Sequence, residues 1–195
     1  MGDQANPKNN TGIGTGSVRP RSIVLVGLMG AGKTAIGKRL AERLNLPFVD
    51  VDQAIEAVAE CTITEMFKRH GEMAFRDCER RVIARLLEEP RQVLATGGGA
   101  FIGAATRALI ARVGISIWLR ADLELLVRRT AHCRTRPLLK KGNPRTILSR
   151  LIEERHPIYA EANIIVDSVD GPLDETVGKV SSALEAHQTK RESVS

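Results

Sequence analysis

Short apolar runs alternate with longer amphipathic stretches between residues 21 and 188, and that alternation predicts the fold. The run SIVLV at 22–26 reads as a strand buried on both faces. A glycine-rich turn follows it, and then apolar positions at helical spacing over 33–45. Residues 46–51 make a second short strand, with Pro47 at its start. Helical pieces are expected near 52–60, 62–69 and 72–89, with Thr62 or Thr64 available to cap the second. QVLAT at 92–96 is a third strand that runs into Gly97-Gly98-Gly99. The pattern then predicts a helix near 104–112, the strand ISIWL at 115–119, and a helix capped by Asp122 and ending near Ala131. A loop at 132–144, a helix over 145–160, a strand at 163–166 and a helix over 173–186 complete it. Strands alternating with helices predict an α/β domain, with a parallel sheet covered on both faces. Residues 1–20 and 189–195 lack the pattern and are expected to be flexible tails. Ligands of such sheets bind beyond the carboxyl ends of the strands, so the residues just after each strand are the candidates for chemistry.

Composition narrows the class. Hydrophobic residues are 43% and charged residues 27%, as in a soluble protein with a real core. Aromatics are only 3%, so that core must be built from Leu, Ile, Val and Ala. No apolar run is long enough for a membrane span, and residues 1–20 lack the apolar stretch of a secretory signal. Cys61, Cys78 and Cys133 are odd in number and have no CxxC spacing, which suits reduced thiols and a cytoplasmic location. His70, His132, His156 and His187 are scattered and form no metal cluster. The net charge of +6 is localised. Arg120, Arg128, Arg129, Arg134, Arg136, Lys140, Lys141 and Arg145 face only Asp122 and Glu124 within 120–145, which accounts for the whole excess. A localised basic segment predicts a localised anionic partner.

The first strand's end carries the strongest signal. Gly27-Leu28-Met29-Gly30-Ala31-Gly32-Lys33-Thr34 matches the phosphate-binding loop GxxxxGK[ST]. Its glycines let successive N–H groups point at phosphate oxygens, and the helix behind adds its positive end. Gly30, Ala31, Gly32, Lys33, Thr34 and Ala35 are the expected contacts to a nucleoside triphosphate. The Lys33 ammonium would reach the β- and γ-phosphates, and the Thr34 hydroxyl would ligate Mg²⁺. The second strand ends in Asp50-Val51-Asp52, and alternation along a strand would put both carboxylates on one side. No acidic residue follows the third strand, so Asp50 is the candidate metal carboxylate. Asp52 either contacts a second substrate or caps the next helix. Arg76 and Glu79 stand three apart and could pair, as a surface bridge or within a site. The glycines at 97–99 make either a plain loop or a turn that a ligand can approach closely. An arginine in the basic loop could stabilise a transferring phosphoryl group. Arg155, near the end of its helix, could instead pair with Glu153, Glu154 or the helix terminus.

GLMGAGKT, DVD, FRDCE, GGG, RPLL and ERHPIY occur in that order, and with them the chain resembles the shikimate kinases over about residues 22–188. The resemblance implies a three-layer kinase fold with a five-stranded parallel sheet of order 2-3-1-4-5, flanked by helices, and a mobile lid at about 132–144. It implies transfer of a phosphoryl group from ATP, with Mg²⁺, to shikimate on the route to chorismate and aromatic amino acids. Asp52 would hold shikimate hydroxyls; Arg76, Arg155 and the Gly98 N–H would hold its carboxylate. Arg136 in the lid would meet the ATP phosphates, so Lys33, Asp52 and Arg136 would be the catalytic set. Arg129 and the segment near Pro172 would flank the adenine. A monomer is expected, with no nucleic-acid or membrane partner. A gluconate kinase would share the phosphate loop but not this combination. A GTPase would need an NKxD motif, which the chain lacks. One Trp and one Tyr are too few stacking platforms for a nucleic-acid binder. The long N-terminal tail and Cys133 at the lid's edge have no counterpart in the family's pattern.

Overall fold

The computed structural model describes residues 20–131 and 142–193. Strand β1 (Ser22–Val26) is buried at every residue and sits at the centre of a five-stranded parallel sheet. Its neighbours are β3 (Val93–Ala95), in register Ile23 with Val93, and β4 (Gly114–Arg120), in register Ile23 with Ile115. β2 (Phe48–Asp50) lies outside β3, and β5 (Ile164–Asp167) lies outside β4, which gives the order β2-β3-β1-β4-β5. The expected order 2-3-1-4-5 is the observed one.

Helices cover the sheet. α1 (Lys33–Leu44) packs on β1, β2 and β3 and against α7 (Leu173–Glu192). α2 (Val51–Ala59) packs on α3 (Ile63–Glu88), and α3 on α4 (Ala104–Val113), which covers β4. α5 (Leu123–Thr130) pairs with α6 (Pro144–Tyr159). The core is aliphatic, as the composition required. Ile23, Leu25, Ile36, Leu40, Ile55, Ile83, Leu94, Ile110, Ile117, Leu119 and Leu125 are among its largest fully buried side chains.

Local chemistry sets the boundaries. β2 is shorter than the expected 46–51 because Asp50 turns the chain. Its Oδ1 accepts the Asp52 N–H at 3.1 Å and caps α2. Asp52 is therefore in the first turn of a helix and not in the strand. Strand alternation with Asp50 does not describe it, and the helix cap is Asp50. The helical pieces at 62–69 and 72–89 form one long helix with a break at Gly71, whose φ of 77° and ψ of 177° are open to glycine. Thr62, not Thr64, is the cap, in a reciprocal box with Glu65. Asp122 caps α5 as expected. Asn143 caps α6 and Pro144 is its first residue, so the basic loop ends one residue earlier than expected. α7 continues to Glu192, so the expected tail at 189–195 is helical for its first four residues.

The basic segment looks different in space. Arg120 pairs with Asp167, Arg128 with Asp170 and Arg145 with Glu124. Two of these three acids come from beyond the segment, so the fold brings two negative charges against the local excess of six. Arg134, Arg136, Lys140 and Lys141 lie outside the described residues, as does Cys133. No helix among the described residues is long and apolar enough to cross a membrane. Cys61 and Cys78 are half-buried free thiols.

Candidate active site

The phosphate loop leaves β1 and enters α1 through Gly32, whose φ of 92° places the chain in the left-handed region just before the first helical turn. Lys33 is only 8% exposed, and its ammonium donates to the carbonyls of Gly27 at 2.7 Å and Leu28 at 2.8 Å. It is therefore held inside its own loop, at the positive end of α1. The Thr34 hydroxyl donates to Asp50 Oδ2 at 3.0 Å. Asp50 thus serves two elements at once, capping α2 with one oxygen and meeting the phosphate loop with the other. Among the described residues no cluster of three or more His, Cys, Asp or Glu side chains forms a ready-made metal cage. One carboxylate and one hydroxyl are a set that suits Mg²⁺, which keeps several waters and takes phosphate oxygens besides.

The turn after β3 organises the rest, and each of its three glycines meets a different candidate side chain. A methyl group on Gly97 would lie 2.6 Å from Asp52 Oδ1 and 3.4 Å from Glu79 Oε1. One on Gly99 would overlap the Arg76 guanidinium. The Gly98 carbonyl accepts from Arg155 at 2.9 Å and from the Tyr159 hydroxyl. On its other side Gly98 leans on the phosphate loop, where a methyl group would lie 3.3 Å from the Met29 nitrogen. Asp52 (α2), Arg76 (α3), Gly98 and Arg155 (α6) come from four parts of the chain. The glycine turn brings them together beside Lys33's loop.

Arg76 is anchored from beneath. Its Nη1 donates to Glu79 Oε2 at 2.7 Å, another nitrogen bonds Glu72 at 3.4 Å, and its guanidinium lies 5.0 Å from the centre of the Phe75 ring. Glu79 is 2% exposed, so its pair with Arg76 is no surface bridge. Burial pushes the Glu79 carboxyl above its ordinary value; Arg76 pulls the other way and Asp52 adds repulsion. Glu79 Oε1 is buried without a hydrogen-bond partner.

On the other side of the phosphate loop, Arg129 Nη1 donates to Ser168 Oγ at 2.9 Å and approaches the Gly30 carbonyl at 3.5 Å. Its Nη2 donates to the Val169 carbonyl at 2.8 Å. Arg129 thereby ties α5 to the segment leading to Pro172 and to the loop. Arg136 lies outside the described residues.

Comparison with known proteins decides the family. The sequence profile of the shikimate kinase family matches residues 29–185. The chain belongs to the shikimate kinase family. A shikimate kinase from Paramagnetospirillum magneticum is 58% identical over 164 residues, 84% of each chain. One from Mesorhizobium japonicum is 49% identical over 185 residues, 94% of this chain and 91% of its own. The solved structure of a shikimate kinase from Acinetobacter baumannii in complex with shikimate superposes with a TM-score of 0.81 at 37% identity, over 85% of this chain and 93% of that one. A gluconokinase from Sinorhizobium meliloti, at 21% identity and a TM-score of 0.60 over 90% of this chain and 95% of its own, shares the fold.

Within a shikimate kinase fold, sequence reasoning left two residues underused. Glu79 was visible only as a partner three residues from Arg76. Tyr159 was passed over within ERHPIY. Its signal was available: it is the chain's only tyrosine, one helical turn beyond Arg155.

Proposed function

We propose that this chain transfers the γ-phosphoryl group of ATP to the 3-hydroxyl of shikimate, giving shikimate 3-phosphate and ADP. The observation that carries the reading is the glycine turn, where one carboxylate and two arginines meet within reach of a phosphate loop. That set suits a small acceptor with one carboxylate and several hydroxyls. Arginine forks match a carboxylate better than an ammonium does. Arg76, Arg155 and the Gly98 N–H hold the substrate carboxylate. Asp52 orients the acceptor hydroxyl and takes its proton as the phosphoryl group arrives. Lys33 turns from its loop carbonyls to the β- and γ-phosphates, which Gly30, Ala31, Gly32, Thr34 and Ala35 cradle.

Thr34 and Asp50 would hold Mg²⁺, because both are oxygen donors and they already meet at the phosphate loop. Bound there, the ion supplies charge neutralisation on the phosphate oxygens. Arg136 would close over the phosphates from the lid and help exclude water, which would otherwise hydrolyse ATP. Arg129, tied to Ser168 and Val169, flanks the adenine. The reading takes the protein as a monomer working in the cytoplasm, where ATP is available.

A coupled ADP-release assay tests the reading, with shikimate, gluconate and nucleoside monophosphates offered as acceptors. Turnover with shikimate far above the others is the expected result. Failure with shikimate alongside activity on another acceptor would overturn it.

A further inference from the structure

We infer that Tyr159 is a positioning residue of the carboxylate clamp: its hydroxyl locks the Gly98 carbonyl and so holds the glycine turn's N–H donors in their binding direction. The inference rests on the proposed function and adds to it a residue that never touches substrate. Three glycines in a row have no Cβ to restrict φ and ψ, so their peptide units turn over cheaply unless something outside holds them. Two donors from α6 do so here, Arg155 at 2.9 Å and the Tyr159 hydroxyl. Because a peptide unit is planar, a fixed Gly98 carbonyl also fixes the Gly99 N–H. The Gly98 N–H belongs to the preceding unit, whose Gly97 carbonyl accepts from the Ala100 N–H at 3.2 Å, and the locked Gly98 carbonyl adds to that hold by limiting rotation about Gly98.

The two donors are not equivalent. Arg155 is shared, since its guanidinium must also face the incoming carboxylate. Tyr159 gives its one hydroxyl proton to the carbonyl, while its oxygen also lies in hydrogen-bonding contact with the Arg155 guanidinium. It is 1% exposed, and its ring stacks on Trp118 at 5.8 Å and on Phe101 at 6.3 Å. A phenol buried this way must bond something, and the Gly98 carbonyl is what its hydroxyl meets. Burial also pushes its ionisation up to about 12, so it remains a donor at every working pH. When substrate recruits Arg155, Tyr159 keeps the carbonyl in place.

The test is Tyr159→Phe, which removes one oxygen and leaves the ring packing intact. Calorimetric titration of the full chain would compare shikimate, its uncharged methyl ester and ATP. The expected result is shikimate binding weakened about three- to ten-fold, the range for one hydrogen bond. Binding of the ester and of ATP should stay within about two-fold of the unsubstituted protein. In turnover, KM for shikimate should rise while kcat holds. Unchanged shikimate affinity, or equal losses for acid and ester, would overturn the inference. So would loss of ATP binding in step with shikimate, which would make Tyr159 a general packing residue. An unsubstituted protein that neither binds nor phosphorylates shikimate would instead overturn the proposed function, and this inference with it.

Discussion

Gly97→Ala separates the position of Asp52 from the stability of the fold. The added methyl would sit 2.6 Å from Asp52 Oδ1, whereas contacts of real Cβ atoms essentially never fall below 3.0 Å and are ordinary only from 3.4 Å. Asp52 Oδ1 must therefore retreat by about 0.4–0.8 Å. That retreat is cheap for folding, because the atom is the far end of a side chain. It is costly for chemistry, because a misplacement of about 1 Å costs on the order of a hundred-fold in rate. Scaled to the smaller shift, kcat/KM for shikimate should fall about six- to forty-fold. KM for ATP should change less than about two-fold, since Thr34 and Lys33 are untouched. Thermal unfolding should move little, because alanine restricts the unfolded chain and offsets part of the crowding. Steady-state kinetics in the ADP-release assay, with a melting curve beside it, would measure all three. A variant with unaltered kcat/KM for shikimate would show that Asp52 does not work from the place beside Gly97.

Three further outcomes follow from the same geometry. Lys33→Ala should cut kcat by at least about a hundred-fold, as loss of a charge-stabilising donor does; retention of most turnover in the same assay would contradict the assignment. Tyr159 is the only tyrosine, so ultraviolet absorbance titration reports it alone. Its midpoint should lie at about 12 in the folded chain and at about 10 in urea. Since the folded phenol keeps its proton longer, its contribution to stability is present below the unfolded value and is lost as pH rises towards the folded one. Glu79 follows the same sign in the acid range. Burial raises its pKa, so the folded chain retains a proton that the unfolded chain releases, and stability declines as pH rises past the ordinary carboxyl value. Glu79→Gln should flatten that decline in urea titrations at stepped pH, and parallel profiles for the two proteins would refute it.

The parallel α/β class and the phosphate loop were legible because they depend on local pattern: a continuous apolar run before GLMGAGKT, and a glycine turn after QVLAT; the strand order rested on the resemblance to the shikimate kinases. The arrangement at that turn was less so. Asp52 was found as part of DVD, yet strand alternation does not explain where it is. Asp50 ends the strand by capping the next helix, and Asp52 is carried to Gly97 by that helix. Arg76 and Arg155 stood out as residue types. That both converge on consecutive glycines depends on long-range packing of α3 and α6, which no spacing along the chain encodes. The charge of 120–145 was misleading in the same way. Asp167 and Asp170 are more than twenty residues beyond it in sequence but face Arg120 and Arg128 in the fold. Arg129 escapes this neutralisation because its partners are the Ser168 hydroxyl and main-chain carbonyls.

Phosphorus NMR of the reaction product tests the central claim most directly. ATP and shikimate incubated with the protein should give ADP and one new phosphomonoester in equal amounts, coupled to the proton on carbon 3 of the ring. Inorganic phosphate as the only product, or a phosphomonoester on a different hydroxyl, would contradict the placement of Asp52, Arg76 and Arg155 around the acceptor.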